Sequence, residues 1–490
     1  MITFFISFVA LVLGYLLYGK FVSKVFAPDD RKTPAVVIND GIDYVPMPNW
    51  KIFMIQFLNI AGTGPIFGAI MGAKFGPAAY LWIILGCIFA GATHDFFSGM
   101  LSMRNNGADL PALIGKYLGK TPRNVMLVFS VVLLIMVGTV FVYSPAEILG
   151  HLSGGSLLWI IVIFAYYVVA TMLPIDKIIG KIYPIFSFSL LFMAVALIVM
   201  LLIKMPVLPE LWDGLGNMAK EQDPSFTDNI FPCLFITIAC GAISGFHATQ
   251  SPLMARCLKS EKMGRPIFYG SMITVALVWA TVAMWFFYDS PTPGYEQLAA
   301  AKGFHTSAPM VVTTVCQDWL GMLGGVLAIL GVVAAPITSG DTAFRSARLI
   351  VASALKLNQK PKMNRLYVCL PIFVVSIALL AWQSSNPDGF NVIWQYFGWS
   401  NQTLSVFTLW AITVYLVRKN KPYVITLLPA LFMTGVCSTY LFISKQAFGL
   451  QEDLAYYLGI ITVIIAMVWF VVWIRKYGEK AREIGETSTD

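Results

Sequence analysis

The chain has 490 residues, 58% of them hydrophobic and 12% charged, and a mean hydropathy of +0.75; that is about half the charge of an average soluble domain. This excludes a soluble enzyme or nucleic-acid-binding domain, and the net charge of +8 reads as the basic loops of a polytopic membrane protein. The 7 Cys lie in or beside apolar runs and form no close CxxC pair, so neither a metal knuckle nor a disulfide framework is indicated.

Runs long enough to cross a bilayer as helices number thirteen: 2–19, 50–72, 78–101, 124–148, 155–174, 182–203, 229–252, 267–288, 319–343, 366–384, 390–417, 422–444 and 455–474. The first has no Lys or Arg before it, Lys20 and Lys24 after it, and no small-residue cleavage site. It reads as a retained helix with its N-terminus outside. The segments after odd-numbered spans hold the great majority of the 33 Lys and Arg, which puts those segments and the C-terminus in the cytoplasm. The longest loops are 20–49, 204–228 and 289–318; the last is expected to act as an external lid between spans 8 and 9.

Two spans break their own helices. Span 2 contains "NIAGTGPIFGAIMG" (59–72), with Gly62, Gly64 and Pro65 at membrane depth. Span 7 contains "TIACGAISGFHATQSP" (237–252), interrupted at Gly241, Ser244 and Gly245 and closed by Pro252. Non-helical backbone inside a membrane must line a cavity or be buried in protein. The two spans are five apart and so oppositely oriented. Spans 2–6 and 7–11 then form an inverted repeat, and paired broken helices point to a transporter's site; the competing reading is that the glycines only permit close packing. The expected organisation is one membrane transport unit, 1–490: an extra N-terminal helix and loop (1–49), two five-helix repeats (50–203 and 229–417), two extra helices (422–474) and a cytoplasmic tail (475–490). Unwinding at Gly62-Thr63-Gly64 would free carbonyls for a cation. A half-helix starting at Pro65 would turn its N–H groups and positive dipole end toward an anion.

The stretches "NDGIDYVPMPNW" (39–50), "AGTGPIFG" (61–68), "GATHDFFSGMLSMRNNG" (91–107), "CGAISGFHATQSP" (240–252), "SGDTAFRSAR" (339–348) and "FGWSNQ" (397–402) resemble the carbon starvation protein A (CstA) family, in that family's order and over nearly the whole chain. The resemblance implies a place in the amino acid–polyamine–organocation superfamily, with its LeuT-type fold. It also implies peptide uptake induced by carbon starvation, or pyruvate uptake as in some members. The family's pattern has Gln before the Asp of "THDF", so Asp95 carries over and His94 does not.

Several polar residues in the spans have two readings. Asp95 is a coupling carboxylate or a structural one paired with a neighbouring helix. His94, about 100° round the helix from it, is expected to aim elsewhere and to pack. His247 follows the second break, with Gln250 and Ser251 on its face; it either exchanges a proton or binds substrate, or it stabilises the break. Thr338 and Ser339 offer adjacent oxygens. In sodium-coupled members of the superfamily such a pair meets carbonyls of the first broken helix, while the plain reading is that both satisfy backbone. Asp341 and Arg345, spaced i,i+4, are expected to form a structural ion pair with the arginine reaching the cytoplasm. Asn401 and Gln402, with Ser400, are expected to interrupt span 11, as substrate contacts or as glue between helices.

The expected function is a cation-coupled secondary importer of the cytoplasmic (inner) membrane for small nutrients, most directly peptides, coupled to a proton or sodium. The alternatives are a pyruvate or small-monocarboxylate symporter and a nutrient sensor without net transport. The expected substrate site is Gly62, Thr63, Gly64, Pro65, Gly68, Ser244, Gly245, His247, Gln250, Asn401 and Gln402, with the carboxylate of the substrate against Gly64 to Gly68. Asp95, His247, Thr338 and Ser339 are expected to couple the cation. No enzyme motif, cofactor site or resident metal site is indicated.

Overall fold

The computed structural model describes residues 1–174, 179–215, 230–276, 308–386 and 389–487. Within them the chain is helical: α1 (Ile2–Phe26), α2 (Asn49–Ile60), α3 (Thr63–Gly72), α4 (Ala78–Arg104), α5 (Leu110–Leu118), α6 (Lys120–Ser153), α7 (Ser156–Met172), α8 (Ile179–Lys204), α9 (Phe235–Ile238), α10 (Gly245–Ala255), α11 (265–276), α12 (Ala308–Ala354), α13 (Lys362–Ser385), α14 (Gly389–Arg418), α15 (Val424–Ile443) and α16 (Glu452–Thr487). A helix lies over each of the thirteen predicted spans, the eighth described only to Ala276. Among the described residues eight helices are long and apolar enough to cross a membrane, or nine with the bent α2–α3 pair. The expected lid lies mostly outside the described residues; its end, from Ala308, is already helix α12.

Burial separates interior from periphery. In α4 83% of the most apolar window is buried, and in the span holding α9 and α10 78%, against 33% in α1 and 11% in α16. Helices that face lipid need no partner on their outer side, so low burial with high hydropathy marks the rim. At the centre α10 packs on α4 and α14, α3 packs on α9, and α12 packs on α6, α8 and α2. The two interrupted spans therefore meet in the middle.

Three local expectations are corrected. The helix in span 7 runs through Pro252 to Ala255. Span 11 is continuous: α14 passes through Ser400, Asn401 and Gln402, and the side chains of Asn401 and Gln402 bond outward to the second broken segment, leaving the helix's own hydrogen bonds intact. Span 9 does not end near Arg345; α12 continues to Ala354 and bends instead at Gly321, where φ is +66°.

Candidate functional site at the crossing of the broken helices

The first break is short. Ala61 and Gly62 leave the helical region (ψ 29° and −166°), and α2 and α3 meet at 45°. The second half-helix starts at Thr63, two residues before the expected Pro65. Pro65 still falls in the first turn, where its missing N–H costs nothing. The second break spans Ala239 to Ser244, with Ser244 extended (φ −148°, ψ 123°) before α10.

The breaks touch. A Cβ on Gly64 would lie 2.7 Å from Cys240 Sγ, and one on Gly68 would lie 2.7 Å from the Ile238 carbonyl oxygen and 3.0 Å from that of Thr237. The face of α3 expected to hold a carboxylate is thus filled by the second broken segment, and at Gly68 it meets acceptor oxygens that would repel an anion. The N–H groups of Thr63 and Gly64, at the start of α3, form its positive end. Gly64→Ala should therefore impair transport through overpacking, and Gly64→Val more so, at a stability cost of about 1–3 kcal/mol. Cys240→Gly in the Gly64→Ala background should restore uptake and melting temperature in part. No coupling between the two positions would contradict this packing.

Ser244, Gly245, Asn401 and Gln402 form the far wall of the second break. Asn401 Oδ1 accepts from the Phe246 N–H (2.7 Å) and the Ser244 hydroxyl (3.0 Å), while Asn401 Nδ2 donates to Cys240 Sγ (3.1 Å). Gln402 Nε2 donates to the Ile243 carbonyl (2.9 Å). Asn401 therefore caps α10 from another helix, satisfying an N–H that the break leaves open. A Cβ on Gly245 would strike the Asn401 backbone carbonyl. These contacts are the glue reading of the two amides. Gln250 Nε2 donates to Thr249 Oγ1 (3.0 Å), and its Oε1 is buried without a partner.

Asp95, His94 and His247 are fully buried. His247 Nδ1 lies 2.9 Å from Asp95 Oδ2, and His94 Nδ1 lies 2.8 Å from Asp95 Oδ1. The second contact corrects the expectation that His94 aims elsewhere. The backbone bonds diverge, yet two adjacent side chains of this length can close a ring-to-carboxylate contact. Both Nε2 atoms are buried with no partner. A Cβ on Gly91, one turn before Asp95, would strike the Ala242 carbonyl, so this cluster borders the second break.

Ser339 reaches the first break. Its hydroxyl lies 3.3 Å from the Leu58 carbonyl and 3.2 Å from that of Asn59, and a Cβ on Gly62 would lie 2.8 Å from its Oγ. Thr338 does not join it, since its hydroxyl donates to Ala334 and Ala335 of its own helix (3.0 and 2.9 Å). Gln56 and Asn59, which sequence reasoning left out, are fully buried on α2 with both side-chain polar atoms unpartnered. Their signal was present as two amides at i,i+3 in an apolar run.

Asp341 and Arg345 are not an ion pair among the described residues. Tyr183 donates to Asp341 Oδ2 (2.8 Å), whereas Arg345 turns away to the carbonyls of Ala170 (2.7 Å) and Leu173 (3.0 Å). Arg345 is fully buried and does not snorkel. Its anion is Asp43, at 3.5 Å, which Arg348 also binds at 2.9 and 3.1 Å. Asp43 comes from the loop between α1 and α2. The same loop is pinned by Glu261, which takes two bonds from Arg104 (3.0 and 2.9 Å) and one from the Asp29 N–H (3.2 Å). This loop seals one end of the bundle, under α4, α10 and α12.

A family model for the carbon starvation protein CstA matches residues 1–157, 146–322 and 294–440. An uncharacterized membrane protein of Haemophilus influenzae is 44% identical over 61% of this chain and 95% of its own. The peptide transporter CstA of Campylobacter jejuni is 27% identical over 86% of this chain and 77% of its own. Among solved structures, the Eremococcus coleocola manganese transporter superposes with a TM-score of 0.57 at 13% identity, over 91% of this chain and 99% of that one. A Na+-coupled sialic acid symporter gives 0.51 at 16% identity, over 95% and 96%. At these identities the likeness is one of fold, the LeuT type.

Proposed function

The chain belongs to the carbon starvation CstA family, and from that premise we propose that it is a cation-coupled secondary importer of peptides in the bacterial cytoplasmic membrane. It is a multi-pass membrane transporter and not an enzyme. Peptide as substrate comes from the name of the Campylobacter jejuni relative. The thirteen-span topology, with the N-terminus outside and the C-terminus inside, is supported by the charge alternation of the loops. The division into two inverted five-helix repeats is supported by the meeting of the two broken helices.

The observation that carries the coupling is the carboxylate of Asp95 shared by two buried imidazoles. An ionised carboxylate only accepts, so both Nδ1 atoms carry hydrogen and both Nε2 atoms are bare. The cluster then holds one negative charge out of reach of water. One proton on Nε2 of His247, the imidazole carried by α10, makes it neutral. Loading and release of that proton beside the second break would link the proton gradient to movement of α3 against α9 and α10. The substrate's carboxylate is assigned to the N–H groups of Thr63 and Gly64, and its polar groups to Gln56, Asn59 and Gln250. The oxygens of Leu58, Asn59 and Ser339 are the donor set a hard cation prefers, so sodium is the rival driver at the other break.

Purified protein in liposomes separates these readings. Labelled di- and tripeptides should accumulate with an inward proton gradient, and labelled pyruvate should not. Accumulation driven only by sodium and lost in Ser339→Ala would replace the proton with sodium. Accumulation of pyruvate alone would change the substrate, and no accumulation of either would leave the sensor reading.

A further inference from the structure

Away from the crossing, α5, α6, α14, α15 and α16 line an open-sided groove of about 480 Å³, within the ~300–1,000 Å³ range of ligand pockets. Along α14 its lining runs from Trp399 to Val414, about 22 Å at ~1.5 Å per residue. One leaflet of a ~30 Å hydrocarbon core is about 15 Å deep, so the groove accommodates a full acyl chain. Its wall has little left with which to recognise a polar ligand. Trp399 Nε1 donates to the Cys437 carbonyl (3.0 Å) and Trp410 Nε1 to Thr434 Oγ1 (3.2 Å). The hydroxyls of Thr434 and Ser438 donate to carbonyls of their own helix (2.6 and 2.7 Å). Thr403, whose hydroxyl has no oxygen partner, sits against the Cys437 thiol.

One end of the groove is basic. Tyr117, Leu118 and Pro122 line it, with Lys120 exposed between them and Arg123 folded over Gly115. The Arg418 guanidinium stands 5.6 Å over the Tyr117 ring. Trp473 closes the wall, and Arg475, exposed, follows two residues later. A hydrocarbon slot with basic residues at one end, beside a membrane surface, is complementary to an anionic phospholipid. We propose that this groove is a binding site for one anionic phospholipid, its acyl chain along α14 and α16 and its phosphate against Lys120, Arg123 and Arg475.

Native mass spectrometry of the full-length, delipidated protein tests this. It is titrated in turn with phosphatidylglycerol, phosphatidylcholine of the same chains, and free palmitate. One phosphatidylglycerol should be retained under activation that strips phosphatidylcholine. The double variant Lys120→Gln/Arg123→Gln should weaken retention about fivefold per charge, the factor for one basic residue near an anionic surface. Ser438→Phe and, from a different helix, Val406→Phe should each abolish the adduct in protein that remains monodisperse and keeps its melting temperature. Equal retention of the two phospholipids, palmitate binding as well as phosphatidylglycerol, or an adduct unchanged in both filled variants would overturn the assignment. So would a doubled mass that Ser438→Phe returns to a single chain, since a second copy would then fill the groove.

Discussion

Asp95→Asn is expected to abolish accumulation of peptide above its outside concentration, while exchange of labelled for unlabelled peptide continues. The variant should fold, because an asparagine carbonyl accepts from one imidazole and its amide donates to the other after a change of tautomer. The rearrangement should cost about 1 kcal/mol, the scale of one hydrogen bond. The negative charge of the unloaded cluster is what disappears: the cluster is neutral before any proton arrives, so a proton would leave an unpaired positive charge buried, and loading fails. His247→Gln should resemble Asp95→Asn. His94→Gln should retain most accumulation, because glutamine still offers an N–H to the carboxylate at the position where the family pattern carries glutamine. Accumulation unaltered in both Asp95→Asn and His247→Gln would remove the cluster from coupling.

Asp43→Asn carries the largest expected loss of stability. The carboxylate is buried against Arg348 and Arg345. Removing one partner of a buried pair leaves unpaired charge behind, at about 3–5 kcal/mol. Denaturant or thermal unfolding in nanodiscs should show this, and Asp43→Asn combined with Arg348→Gln should cost less than the two single changes added. The pH dependence has a definite sign. Burial pushes the Asp43 carboxyl up, but Arg348, Arg345 and Arg256 together outweigh it and hold the group below the usual carboxylate value. Its contribution is therefore fully present above that usual value and is lost as pH falls through the depressed one. Acid unfolding should start at higher pH in wild type than in Asp43→Asn once both are referred to their own neutral-pH stability. Parallel acid profiles would contradict the pairing.

The helices and the two breaks were legible in the sequence because hydropathy, loop charge and Gly/Pro placement are local signals. Span 7 shows this: its glycines and Ser244 marked the unwound segment within a few residues. What depended on partners distant in the chain was not legible. Arg345 was assigned to Asp341 by i,i+4 spacing, yet Tyr183 takes that carboxylate and the arginine finds Asp43 some 300 positions away. His94 was turned from Asp95 by backbone angle alone, although side-chain torsions can recover such an offset. Asn401 and Gln402 were read as a break, since sequence does not say whether an amide bonds its own helix or caps another. Gln56 and Asn59 were visible as amides in an apolar run; their lack of partners is a property of the packed structure.

The proposed coupling has a proton move with peptide through the Asp95 cluster. The direct measurement is lumenal pH in proteoliposomes loaded with a pH-sensitive dye, sodium-free, with no imposed gradient and the membrane potential clamped at zero. Adding peptide outside should acidify the lumen with wild-type protein, in step with labelled peptide uptake, and should not do so with Asp95→Asn. Peptide uptake without acidification in the wild type, or acidification that persists in Asp95→Asn, would contradict it.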